Sequence, residues 1–356
     1  MKVRRPHRKT RTGCFSCKKR RIKCDEQKPS CLNCLRRGYN CEYLSRPLDS
    51  DNQDDAVTHT PSPGNDLPEL PMTELRLLHH FTTSTYATMS SRENIKTIWR
   101  VTVPQLAFSC DCLMRAILAL SALHLSRLEP EERRMQYQKL AVSHYDAALR
   151  SSTLTILHLS VENCHALYAC SELIFLFNLV HPHLSPNPLL SYTNEVAPWL
   201  TLLRGIRTIA YPFVESLKVG VLGPLLAVNE GSAPDKTIIE SLDVFDAHIR
   251  RSQITNPSTS TYLAAIENLR QWSVDMDGHG FRWAVHVDED YVSLLRRMEP
   301  EALVVFAHFA LVVKKWDSNY WLRGWADRLV DAIHGALGDS HRAWIRRILE
   351  QFGMAR

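Results

Sequence analysis

Apolar residues recur at helical spacing over most of the chain beyond residue 72, and rarely before it. Leu113 to Leu128 (LMRAILALSALHLSRL) is apolar almost all round and stops ahead of Glu129-Pro130, which predicts a central buried helix. Glu131 to Arg150 is charged at first and then amphipathic. Val161 to Val180 predicts a second buried helix, ending before His181-Pro182. Val196 to Tyr211, Ile238 to Arg250, Thr261 to Trp272, Glu301 to Trp316, Trp321 to Leu337 and His341 to Phe352 complete the helical set. A less ordered break falls near Trp272 to Asp290. No run of alternating positions marks a strand, and no repeat period shows. The pattern predicts an all-α body over 72–356.

Residues 47–71 interrupt this picture. They hold Pro47, Pro61, Pro63, Pro68 and Pro71, the acids Asp49, Asp51, Asp54 and Asp55, and almost no large apolar side chain. Such a stretch cannot bury enough surface to offset its ordering entropy, so it is expected to be a disordered linker. It carries no a/d heptad, which argues against a coiled coil there. Ahead of it lie a basic arm, 1–13, and a cysteine-rich segment, 14–46.

The composition is that of a globular protein, with 356 residues, 45% apolar and 23% charged. Thirteen glycines exclude a collagen-like chain, and ten cysteines over this length exclude a disulfide scaffold. The N-terminus lacks the apolar core of a secretory signal, and no run of about 18 apolar residues predicts a membrane span. The closest run, Cys164 to Val180, contains His165, Ser171, Glu172 and Asn178. Charge changes the picture more. The net +5 divides into 15 Lys/Arg against 3 Asp/Glu over residues 1–46, and 28 against 35 over the rest. A strongly basic head on a mildly acidic body is the electrostatic outline of a nucleic-acid reader joined to something else.

Six of the ten cysteines lie in that head: Cys14, Cys17, Cys24, Cys31, Cys34 and Cys41, spaced C-x2-C-x6-C-x6-C-x2-C-x6-C. The segment is one half-unit, C-x2-C-x6-C, written twice. Three thiolates cannot complete a tetrahedron around Zn²⁺. Six thiolates complete two when two sulfurs are shared, so the spacing points to a binuclear cluster rather than two separate fingers. So small a domain needs a metal staple and is expected to be unfolded without it. Between the second and third cysteines runs Lys18-Lys19-Arg20-Arg21-Ile22-Lys23, five cations in six positions. Phosphate contacts from such residues give salt-sensitive affinity, and an Arg or Lys pairs with guanine O6 and N7 in the major groove. A zinc module used only for protein contacts, a Cys14–Cys17 redox dithiol and a bare nuclear-import signal are the blander readings; the last is compatible with DNA binding.

These residues resemble the DNA-binding domain of the fungal zinc binuclear cluster (Zn2Cys6) transcription factors, and Asp25, Pro29 and Tyr43 fit that pattern as well. The resemblance implies two short helices with metal-bound loops, two Zn²⁺ per chain, and bridging by the first and fourth cysteines, here Cys14 and Cys31. It implies double-stranded DNA as partner, CGG-type triplets as target and the nucleus as location. Arg20 and Arg21 match the family's base-reading end, with Arg21 preferred; Lys18, Lys19 and Lys23 become phosphate contacts. Arg36 and Arg37 are candidates for further backbone contact.

The body lacks an enzyme's constellation: no H-E-x-x-H, G-x-S-x-G, G-x-x-x-x-G-K-[ST] or G-x-G-x-x-G occurs. His79-His80 beside Thr82-Thr83, and His124 and His144 on apolar helices, read as packing residues. Cys110-x-Cys112 is a weak metal signal, and Cys164 and Cys170 read as core fillers. Glu172 inside an apolar helix needs a partner, for which Arg115 and Arg204 are the candidates, with a ligand hydroxyl as the alternative. Leu113, Ile117, Leu120, Leu173, Phe175 and Phe177 either line an apolar cavity or are simply core.

Several segments, among them LLHHFTT (Leu77 to Thr83), WRVTVPQLAF (Trp99 to Phe108), LLRGI (Leu202 to Ile206) and AHFA (Ala307 to Ala310), resemble the regulatory domain of the fungal sterol uptake control regulators. That resemblance implies a helical domain with a hydrophobic pocket for a small-molecule effector, and self-association into a homodimer. The expectation is a DNA-binding activator of RNA polymerase II genes, sterol-related or belonging to a secondary-metabolite cluster. The alternative makes the body an apolar-ligand receptor that the basic head only localises.

Overall fold

The computed structural model describes residues 12–20, 22–37, 39–43, 70–181, 187–189, 198–227, 235–251, 257–273 and 281–354. The chain divides into two units, Met1–Pro68 and Glu69–Arg356. Every regular element among the described residues is a helix, in agreement with the all-α reading. The arm at 1–13 and the linker at 47–71 lie almost wholly outside the described residues.

The first unit holds two short helices, α1 (Phe15–Lys19) and α2 (Leu32–Leu35). Neither is long enough to persist alone in water. Their core is made of sulfur: Cys14, Cys17, Cys24, Cys31 and Cys34 are buried, with Cys41 and Tyr43 packed against them.

The second unit runs α3 (Met72–Thr83), α4 (Glu93–Thr97), α5 (Val103–Ala107), α6 (Asp111–Leu128), α7 (Glu131–Ile156), α8 (Cys164–Val180) and α9 (Pro198–Ala210). It continues with α10 (Val214–Val219), α11 (Gly223–Leu226), α12 (Lys236–Arg251), α13 (Thr259–Trp272), α14 (Arg282–His286), α15 (Glu289–Arg296), α16 (Pro300–Lys314), α17 (Trp325–Ala336) and α18 (Asp339–Gln351). A π-helical turn, Ile98–Thr102, joins α4 to α5.

The most apolar helices are the innermost. α6 packs against α7, α8 and α3, and α16 against α17, α18 and α13. Every residue from Ala302 to Val313 is buried. α6 ends where expected: Glu129, ahead of Pro130, takes an extended ψ of 152° because proline disfavours the helical region in its predecessor. Between α9, α16 and α17 sits an aromatic nucleus, with Trp199 and Trp325 edge-on at 5.3 Å and Trp283 at 5.0 Å from Phe309. The buried indole N–H groups of Trp199 and Trp283 donate to the carbonyls of Pro188 and Ala265. No described helix is long and apolar enough to cross a membrane.

Two expectations change. The helix predicted from Trp321 begins at Trp325, because Gly324 stands at φ 69° and Trp321 is used in a turn, its indole donating to Thr88 Oγ1 at 2.8 Å. The break near Trp272 to Asp290 holds a helix, α14, and the first residues of another, α15, while 274–280 lie outside the described residues.

Candidate metal centre and nucleic-acid interface

The head is built on a 17-residue offset. Cys14 N-caps α1 and Cys31 N-caps α2. The Cys14 N–H donates to Cys24 Sγ at 3.4 Å, and the Cys31 N–H to Cys41 Sγ at 3.2 Å. The Ile22 N–H donates to the Cys17 carbonyl, and the Tyr39 N–H to that of Cys34, both at 3.1 Å. Two copies of one sequence unit thus fold as two copies of one structure.

The sulfurs form two quartets, Cys14, Cys17, Cys24 and Cys31, and Cys14, Cys31, Cys34 and Cys41. Within each, all ligand atoms lie within 4.8 Å of one another, and Cys14 and Cys31 belong to both. A tetrahedral ion with Zn–S bonds of about 2.3 Å requires sulfur separations of about 3.8 Å. Cys14–Cys31 and Cys14–Cys34 are 3.7 Å apart and Cys17–Cys31 3.6 Å. The donor set therefore fits zinc.

Burial pushes the thiols of Cys14, Cys17, Cys31 and Cys34 above their ordinary range. At Cys24 burial acts the same way, but the N–H groups of Cys14 and Glu26 donate to the sulfur and bring it down to about 7. The Cys31 N–H lowers Cys41. A cage of this kind favours thiols over thiolates at four positions, so a divalent cation at the centre is what turns all six sulfurs into ligands.

Polar side chains lock the halves together. Asp25 accepts the Leu32 N–H at 3.1 Å, Asn33 donates to the Lys23 carbonyl at 2.8 Å, and Tyr43 donates to the Gln27 carbonyl at 3.0 Å. Pro29 lies in the joining loop after a cis peptide bond.

The cations separate into two kinds. Lys18, Lys19 and Lys23 are exposed. Arg20 is half-buried: it donates to Cys34 Sγ at 3.6 Å and to the Ser16 carbonyl at 3.2 Å, and lies over the Tyr39 ring at 4.1 Å. Its charge faces the sulfur cage, which the basic run alone does not foretell. The offset carries the available signal, since Tyr39 and Cys34 occupy in the second half the places of Ile22 and Cys17 in the first. Arg21 lies outside the described residues. Arg36 and Arg37 are exposed.

In the body, Glu172 does not pair with Arg115 or Arg204. Arg115 reaches Asp111 at 3.5 Å, and Arg204 holds Glu289 at 2.8 Å and the Val287 carbonyl at 2.6 Å. Burial raises Glu172, opposed by the Tyr168 hydroxyl one helical turn away and by Arg282 of α14. Glu172, Tyr168 and Phe175 stand where two cavities adjoin, of about 190 and 280 Å³. Leu113, Ile117, Leu120, Leu173 and Phe177 line neither and are core.

The remaining candidates pack. His80 Nε2 lies 3.2 Å from His124 Nδ1, which also meets Thr85 Oγ1 at 3.0 Å. Burial holds His124 down to about 4. His144, Cys164 and Cys170 are buried. Cys110 and Cys112 approach to 3.2 Å, and no four-ligand set forms around them among the described residues.

Residues 12–50 match the Fungal Zn(2)-Cys(6) binuclear cluster domain, and residues 76–209 the Fungal specific transcription factor domain. The Zn(2)-C6 fungal-type transcription factor afumD of Aspergillus fumigatus is 29% identical over 343 residues, covering 85% of this chain and 84% of its own length. A Zn(2)-C6 fungal-type transcription factor of Gibberella zeae is 24% identical over 431 residues, with 97% and 85% covered. Sterol uptake control protein 2 of Saccharomyces cerevisiae is 29% identical over 188 residues, 51% of this chain and 20% of that protein. A sulfur cage shaped for zinc, exposed lysines beside it and a helical body matching the regulators' own domain together make this chain a fungal Zn2Cys6 transcription factor, a DNA-binding regulator and not an enzyme.

Proposed function

We propose that the head binds two Zn²⁺ bridged by Cys14 and Cys31 and reads CGG-type triplets, making the protein a nuclear activator of RNA polymerase II genes. The observation that carries this reading is the pair of sulfur quartets sharing Cys14 and Cys31 beside an exposed Lys18-Lys19 at the end of α1. Lys18, Lys19 and Lys23 contact phosphates, Arg21 reads the base edge, and Arg20 braces the cage. The domain layout is 1–13 arm, 14–46 DNA-binding domain, 47–71 linker and 72–356 regulatory domain, with the last supplying the homodimer surface. Sterol-related or secondary-metabolite genes are the targets this reading favours.

Zinc content of the purified chain, measured with selection of bound sequences from a random DNA pool at fixed salt, tests it. Two zinc ions and enrichment of CGG-like triplets are expected. One zinc ion, or salt-sensitive binding without enrichment, overturns it.

A second reading gives the body an apolar effector. The adjoining cavities around Glu172 favour it, because they lie between helices and have mostly apolar walls.

A further inference from the structure

The larger cavity has a charge distribution unlike the rest of the body. Its inner wall is apolar, with Leu203 and Ile206 of α9 and Phe175 of α8 all nearly fully buried. Its edge is cationic: Arg207 of α9 and Lys218 of α10 line it and are exposed, and Arg282 of α14 lines it from the side. The groove alongside shares Arg207 and Tyr211 with this cavity and adds Arg204 and Arg296. Residues 69–356 carry 30 acidic and 28 basic side chains, so the unit that bears this cationic edge is itself close to neutral.

The acids nearby cancel only part of it: five cations stand against Glu215, Glu289 and Glu172. Glu215 pairs with Lys218 at 3.0 Å, and Glu289 serves both Arg204 and Arg296. Glu172 lies deeper, where the two cavities meet, with Tyr168 and Arg282 acting on its carboxyl. Arg207 makes no ion pair among the described residues. Arg282 is held in place, donating to the Leu226 carbonyl at 2.6 Å and lying over the Trp272 ring at 5.6 Å.

We propose that this cavity takes an amphipathic carboxylate: an aliphatic acid whose tail lies against Leu203, Ile206 and Phe175 and whose anionic head meets Arg207 and Lys218, with Arg282 behind them. The proposal rests on the effector reading of the body and narrows it to an acid. A neutral apolar molecule of the same size gains the inner wall but nothing from the edge. An anion gains both, and its head stays at the protein surface, where desolvation costs least. The aliphatic tail extends past Glu172 into the smaller cavity, toward Trp99 and Trp321.

The test is calorimetric titration of the full-length zinc-loaded protein at pH 7 with decanoate and, separately, decanol. Decanoate is expected to bind at least about tenfold more tightly, an advantage that shrinks as salt rises because the rim is exposed. Arg207→Glu with Lys218→Glu, both at exposed positions, is expected to remove that advantage and leave decanol binding unchanged. Near-ultraviolet circular dichroism verifies that the double variant is folded. Equal affinity for alcohol and acid overturns the carboxylate assignment and leaves the effector reading standing. A preference for decanoate that survives in the folded double variant overturns the site. Absence of binding by either probe overturns both the site and the effector reading, while DNA selection by the head is independent of all three results.

Discussion

The guanidinium of Arg20 stacks on Tyr39, 4.1 Å from its ring centroid, and the same group donates to the sulfur of Cys34. A residue from the basic run of one half thereby braces the metal ligands of the other. Lys18 and Lys19, close neighbours in sequence, remain exposed.

That division predicts two different phenotypes within three residues. Lys18→Ala or Lys19→Ala weakens DNA binding across all sequences and reduces the slope of log affinity against log salt by about 0.9 for each phosphate that is no longer neutralised. Arg20→Ala leaves the slope nearly unchanged and makes the head surrender zinc to a chelator faster. A salt slope that falls for Arg20→Ala as it does for Lys18→Ala would place Arg20 on the phosphates instead.

The shared sulfurs predict a hierarchy among the ligands. Cys14 and Cys31 stand in both quartets, and Cys17 in one. Cys14→Ser or Cys31→Ser is expected to abolish zinc retention and folding of the head. Cys17→Ser spares the second quartet and retains a larger fraction of the metal. Elemental analysis after dialysis distinguishes them, and equal zinc losses in all three variants contradict the shared arrangement.

His308 predicts an acid sensitivity in the body. The Val304 carbonyl, 2.8 Å from Nδ1, can only accept, so Nδ1 carries the proton and Nε2 accepts from the Ser241 hydroxyl at 3.0 Å. Burial holds the ring down to about 4, below its ordinary 6.5. The unfolded chain therefore takes up the proton first. The stability tied to neutral His308 is complete above pH 6.5 and is lost as pH falls through that value toward 4, about 3 kcal/mol at most. Urea midpoints from pH 7 to pH 4 should decline less steeply in His308→Gln than in the parent chain.

Glu172 carries the opposite sign. Burial raises its carboxyl, so the folded chain holds that proton to higher pH than the unfolded one, and acidification through this range adds stability. Glu172→Gln is expected to stabilise the body at pH 7, because it removes a charge that burial disfavours. The gain should fade as pH is lowered toward the ordinary carboxyl value. A loss of stability at pH 7 would show that Arg282 depends on the negative charge more than the helix suffers from it.

Much of this was legible in the chain. The cysteine spacing pointed to a binuclear cluster, because a repeated unit of fixed length brings equivalent atoms to equivalent places, while the identity of the shared sulfurs came from the family resemblance. Helix interiors were legible from their apolar periodicity, and α6 and α8 stop at the prolines that mark them. What was not legible depends on long-range neighbours. Glu172 and Arg282 are far apart in sequence, and no local pattern distinguishes Arg282 from Arg115 or Arg204 as its charged neighbour. The late start of α17 depends on a hydrogen bond from Trp321 to Thr88, at the other end of the unit. Arg20 looked like its neighbours because composition registers charge but not the direction in which it points.

The 17-residue offset of the head is obeyed by the sulfurs and only partly by the cations. Lys19 and Arg20 correspond to Arg36 and Arg37, but Lys18, Arg21 and Lys23 of the first half correspond to Leu35, Gly38 and Asn40 of the second. The first half therefore carries more positive charge than the second, and a head built this way engages a duplex with a polarity. Two such heads can meet DNA facing each other, facing apart or in file. Nothing between residues 14 and 43 chooses among those arrangements, so in the proposed dimer that choice falls to residues outside the head.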